Sequence, residues 1–181
     1  MKLAATVRHL LGWPALPEGF SALLDPDEHV LASASVSPVE RGEMVVASSY
    51  GLWLPERRRV GWHLVSKAIW GSGVLTVIEA EEQEEQLVEG AAAFLTDLPP
   101  RRLALSKPGR LPNVVHERVT SSIRSRHRRD LPGGGAWFVQ RKVPGRGGLR
   151  LQVRPDPGTD EWAVRQAAVE VAVRLSKRAP P

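Results

Sequence analysis

Cysteine is absent from the 181 residues, which excludes a disulfide framework and any thiolate metal site. Histidine is scarce. His9, His29, His63, His116 and His127 are never four positions apart, so the ligand spacing of a helical zinc site is missing. No apolar run approaches the roughly 20 residues that cross a bilayer as a helix, and no membrane insertion is expected. Met1 to Leu11 is interrupted by Arg8 and His9 and has no small-residue cleavage site. A signal peptide is therefore not expected, and the expected compartment is cytoplasmic.

The usual signatures of catalysis are lacking as well. Gly145-Arg146-Gly147-Gly148 does not end in the Gly-Lys-Ser/Thr of a phosphate loop and reads as a hairpin connection. Gly71-Ser72-Gly73 lacks the wider pattern of a nucleophile elbow. His116-Glu117 lacks the second histidine of a metalloprotease helix. Asp25, Asp27, Glu28 and His29 gather possible ligands, but an exposed acidic turn accounts for them better than a metal site. His63, beside Trp62 in an apolar strand, has no orienting carboxylate near it in sequence and reads as a packed core or edge histidine. The expectation is a non-enzymatic protein with no cofactor.

What is abundant is arginine, 20 against 5 lysines, alongside Ala, Gly and Pro. That bias fits a GC-rich bacterial genome as readily as a selected function. The net charge of +5 is unevenly placed. Residues 1–100 balance at −7, residues 101–154 at +12, and residues 155–181 at zero. Such asymmetry points either to an anionic partner or to two oppositely charged parts that neutralise each other within the fold. Alternation along strands also means that a basic segment need not form a continuous basic patch.

Residues 2–11 and about 18–24 read as short helices separated by Trp13-Pro14 and Leu16-Pro17. From Val30 the pattern becomes that of strands: Val30 to Val36, Met44 to Ser48, Gly51 to Pro55 and Val60 to Val65. A hairpin centred between Arg57 and Arg58 would set Trp53 opposite Trp62 and Leu52 opposite His63. Lys67 to Trp70 and Val74 to Ala80 flank a turn at Gly71-Ser72-Gly73. The acidic run Glu79 to Glu89 is either a helical insertion or a solvated loop. A short strand follows from Arg101 to Ser106. Asn113 to Arg128 fits a helix face by its Val115, Val119, Ile123 spacing, but its β-branched content favours a strand. Strands are expected at Ala136 to Val143 and Leu149 to Arg154. Thr159 then caps an amphipathic helix bearing Val164, Ala168, Val171 and Leu175 on one face.

About seven strands followed by one amphipathic helix resembles a pleckstrin-homology-like domain. Leu24 to Leu31 is similar to the acidic entry into the first strand of bacterial members of that superfamily. Val45-Val46-Ala47-Ser48 with Gly51-Leu52 is similar to their second strand and the turn beyond it. Gly51 to Pro55 with Gly61-Trp62-His63 also resembles an uncharacterised family of short actinobacterial proteins. The resemblance implies an α+β, mostly β fold, a bent antiparallel barrel or sandwich closed by the C-terminal helix. It would span 25–181, with an insertion at 81–100 and a helical extension at 1–24. It implies an interaction module and names no ligand. The loop from Ser37 to Glu43 carries only Arg41 as a base, unlike the basic loop of phosphoinositide-binding members.

An unknown protein partner is thus the leading expectation, with a nucleic acid or other polyanion as the alternative. Arg118, Arg124, Arg126, Arg128, Arg141 and Arg146 are the candidate anion-binding residues, and Arg129, Arg150 and Arg154 extend the series. Most of the six tryptophans, Trp162 in the first helical turn among them, are expected in the core. Trp53 and Trp137 lie near basic stretches and are the candidates for aromatic contact. Exposed sheet edges would also permit a homodimer.

Overall fold

A computed structural model describes residues 16–87, 90–145 and 147–177. The helix expected at 2–11 lies outside the described residues, as do Trp13 and Arg146. The protein is mostly β and divides into two compact units, each drawn from discontinuous segments. Among the described residues, no helix is long and apolar enough to cross a membrane.

Unit one contains β1 (Val30–Val36), β2 (Met44–Ser48), β3 (Gly51–Trp53), β4 (Arg59–Gly61) and β5 (Val65–Gly71). The first part of β6 (Val74–Leu87) also belongs to it. The chain passes through β7 (Gly90–Asp97) in unit two and returns as β8 (Arg101–Ser106) and α1 (Leu111–Ser122). The strand order in unit one is β4-β3-β2-β1-β8-β6-β5, and every pairing is antiparallel. Strand alternation aims Ala32, Ala34, Val45 and Ala47 into one core with Leu52, Leu75, Val77, Leu103 and Leu105. Leu111, Val114 and Val115 of α1 pack into the same core. Val46 and Trp53 face the other way and are covered by Phe20, from a 3-10 helix at Phe20–Leu23. Both faces of β2 are therefore buried, which is why Val45-Val46-Ala47 is apolar without a break.

Unit two holds the rest of β6, β7, β9 (Ile123–Leu131), β10 (Gly134–Lys142), β11 (Leu149–Pro155) and α2 (Glu161–Ser176). Its strand order is β6-β7-β11-β10-β9, antiparallel except for β11 with β7, which are parallel. One face, with Ala92, Ala136, Phe138, Leu151 and Val153, packs against Val164, Ala167, Ala168, Val171 and Ala172 of α2. The small alanines let the helix approach the sheet closely.

Several expectations change. No barrel closes: β4 and β5 end the strand order of unit one with no ladder between them among the described residues. Residues 113–128 are neither one strand nor one helix, because α1 ends at Ser122 and β9 begins at Ile123. As far as Leu87 the acidic run is a strand, not a helix or loop; β7 pairs along it from Ala80 to Leu87. The β3–β4 hairpin is centred on Glu56, with Gly51 opposite Gly61 and Trp53 opposite Arg59. Leu54 and Arg58 close its turn and Arg57 takes a positive φ of 60°, so Trp62 falls beyond the ladder in a 3-10 helix with His63. Asp160, not Thr159, caps α2, its carboxylate accepting from the Ala163 amide at 2.7 Å. Thr159 instead exchanges hydrogen bonds with the backbone of Gly135. Trp162 is 71% exposed and stands outside the core.

Phe138 is fully buried and Trp162 is not, so the two separate packing from composition. Phe138→Ala is expected to destabilise unit two by about 3–5 kcal/mol, and Trp162→Ala by less than about 0.5 kcal/mol. Urea denaturation followed by circular dichroism measures both; comparable losses would contradict the helix placement.

Candidate functional site

Period-two alternation in β9 separates its charges. Arg126 and Arg128 project from one face of the unit-two sheet, and His127 and Arg129 from the face that carries α2. The register sets Arg128 opposite Trp137 and Arg126 opposite Val139. Both guanidinium carbons lie 6.0 Å from the Trp137 ring centroid, within the range of a cation–π contact. Trp137 remains 37% exposed between them. Arg124 is exposed beside a bulge, where the ladder steps from Ser125 to Ile123. β9 ends the strand order and pairs only with β10, leaving one edge without a ladder among the described strands.

The neighbouring charges decide which of these arginines are available. Arg128 donates to Asp156 at 2.5 and 3.3 Å and lies 3.6 Å from Asp130. The hydrogen bond from Arg128 holds the Asp156 carboxyl below its ordinary range, and the same bond raises Arg128. Arg129 pairs with Glu170 at 2.7 Å, and Arg154 with Asp97 at 3.0 Å. Arg150 reaches Glu84 at 2.5 Å and Glu82 at 3.4 Å. Among the described residues, Arg124 and Arg126 have no ion pair.

The other candidate residues lie elsewhere. Arg118 is half-buried on α1, in unit one. Arg141 is only 7% exposed and donates to the Ser122 hydroxyl at 3.0 Å. Burial, then the charge of Arg154, pulls its pKa down to about 10. A guanidinium so enclosed presents no open face to a polyanion. Trp53 is 6% exposed, so its ring is likewise withdrawn from any ligand.

Trp53 instead belongs to a buried network that sequence reasoning missed. Glu28 accepts hydrogen bonds from the Ser48 hydroxyl at 2.5 Å, the Trp53 indole at 2.9 Å and the Asp25 amide at 3.1 Å. It also pairs with Arg59, which reaches Asp25 at 2.8 Å and lies over the rings of Tyr50 and Trp53. The carboxylate of Glu28 is thus a satisfied structural charge, not part of an exposed turn. No sequence signal distinguishes Glu28 from Asp25 or Asp27. Among the described residues, no group of three His, Asp or Glu is arranged to hold a metal ion.

Comparison with known protein families, curated proteins and solved structures finds no match to this chain.

The Asp156 carboxyl is held low in the folded state, so its contribution to stability is present above its unfolded pKa and fades as pH falls through the folded one. Asp156→Asn should therefore be less stable than the parent at neutral pH, with the difference shrinking at strongly acidic pH. Denaturation midpoints across that window test this. A difference that stays constant with pH would rule out the Arg128 pair as its source.

Proposed function

We propose that this chain is a non-enzymatic interaction module that recognises an extended acidic peptide along the free edge of β9. The carrying observation is the open backbone edge of β9 beside Arg124, Arg126 and the exposed ring of Trp137. Main-chain bonding to a sheet edge supplies affinity, and side chains at alternate positions supply specificity. Among the described residues Arg126 has no carboxylate partner, so an acidic side chain at the matching position of an added strand completes it. Trp137 offers an apolar surface next to that position.

Unit one is read as a pleckstrin-homology-like scaffold. Support comes from seven antiparallel strands, five of them ordered β4-β3-β2-β1-β8, followed in sequence by α1. In this reading the closing helix is α1 and not the expected C-terminal helix, which packs in unit two, and the excursion through β7 corresponds to the insertion expected at 81–100. A non-enzymatic role is supported by the two buried carboxylates of that unit. Glu28 is bound as described, and Glu79 is held by both terminal nitrogens of Arg58 at 2.8 and 2.9 Å.

The polyanion alternative has less support. Arg128, Arg129, Arg150 and Arg154 are neutralised by carboxylates of their own unit. Two unpaired arginines on β9 predict a salt slope of only about −1.4 for a single strand, too shallow for a tight nucleic-acid binder. A homodimer through β9 is also disfavoured, since pairing two copies of this edge brings arginines together.

The test uses fluorescence anisotropy with an extended peptide of alternating Glu and Val, its analogue N-methylated at alternate amides, and single-stranded RNA of equal charge. The unmodified peptide is expected to bind, with Arg126→Glu weakening it by about tenfold or more. The N-methylated analogue should lose affinity because it cannot donate to the edge. Equal binding by both peptides would exclude strand addition. Tighter, steeply salt-dependent RNA binding would transfer the assignment to a polyanion.

A further inference from the structure

The opposite face of the unit-two sheet carries a second feature. Between β9, β10, β11 and the last turns of α2 lies a cleft of about 300 Å³. Its floor is apolar, made by Phe138, Leu151, Val171 and Leu175. Its rim is polar, formed by Ser125, Gln140, His127 and Arg174. Ser125 donates to Gln140 at 2.9 Å, which fixes that side of the rim. The His127 ring stacks on Phe138 with centroids 5.5 Å apart and planes 17° apart. Its Nε2 is enclosed and has no hydrogen-bond partner.

The charge of the cleft is one-sided. Arg174 lines it and has no ion pair among the described residues. Burial and the charges of Arg129 and Arg174 hold His127 below its usual pKa, so the positive charge of the rim is carried by Arg174. An anionic head is the complement of this rim, and a short hydrocarbon body is the complement of the floor. The volume stands at the low end of small-molecule sites, roughly 300–1,000 Å³, so the ligand is small.

We propose that this cleft binds a small anionic amphiphile, its carboxylate held by Arg174 at the rim and its acyl chain laid against Phe138, Leu151, Val171 and Leu175. The cleft lies on the other face of the sheet from Trp137, because strand alternation puts Phe138 and Trp137 on opposite faces, although Ser125 and His127 of β9 form part of its rim.

Octanoate is the probe, with octanol as the uncharged control and butyrate as the short-chain control. In a two-dimensional amide NMR titration of the full chain, octanoate is expected to saturate, shifting Ser125, His127, Gln140, Leu151 and Arg174. Octanol and butyrate should bind more weakly. Arg174→Gln should weaken octanoate by about tenfold or more through loss of a charge-assisted bond, leaving the spectrum otherwise folded. Leu175→Trp, which fills the cleft, should abolish saturation. The wild-type titration stands alone if either variant fails to fold. Absence of saturation, shifts confined to other residues, or equal affinity for octanol and octanoate would each overturn the proposal.

Discussion

The constraint on which the surface of unit two depends is the pairing of its arginines with carboxylates from the same unit. β6 brings an acidic run alongside β7, and β11 lies parallel to β7 on the other side. That order puts Glu82 and Glu84 within reach of Arg150, while Glu85, on the opposite face, meets Arg165 of α2. Each exposed pair contributes little to stability, on the order of 0–1 kcal/mol. Their larger effect is on recognition: they neutralise Arg128, Arg129, Arg150 and Arg154 and, among the described residues, leave Arg124 and Arg126 unpaired at one sheet edge.

Unit one uses charge differently. Glu28 is buried where the chain enters β1, and its bonds reach Ser48 at the end of β2 and Trp53 at the end of β3. Arg59 at the start of β4 completes it. A single carboxylate therefore ties the ends of four successive strands. Leaving such a group unpaired in the interior is far more costly than losing an exposed pair. The two units thus show the same chemistry at two depths: structural where buried, adjustable where exposed.

Legibility in the sequence followed the locality of the signal. The turn at Ser72-Gly73 needs positive φ at both residues and announces itself as a short glycine-bearing loop between strands. The last helix carries its own cap and apolar face, and only the capping residue differs from expectation, Asp160 for Thr159. The acidic strand is illegible because glutamate disfavours strands, and Arg150 and Arg165, which pair with it, lie 66 and 80 residues away from their partners. Residues 113–128 satisfied both periodicities because the change from helix to strand falls inside the window, between Ser122 and Ile123. At the candidate site, Arg124, Arg126 and Trp137 could be found from composition, whereas the loss of Arg128, Arg141 and Trp53 to internal partners depended on tertiary contacts. The amphiphile cleft had no advance signal, since its walls come from four separate elements.

Neither unit is a contiguous stretch of chain. Unit one needs segments on both sides of β7, and unit two is interrupted twice by returns to unit one. Any single excised fragment that contains one unit whole also carries segments of the other, so dissection by simple truncation leaves strands without neighbours. During synthesis, unit one also cannot finish until β8 and α1 have left the ribosome, by which time β7 is already out and waiting for β11. A chain threaded in this way has its vulnerable interval early in life, and its cellular yield reports on that interval as much as on the stability of the finished fold.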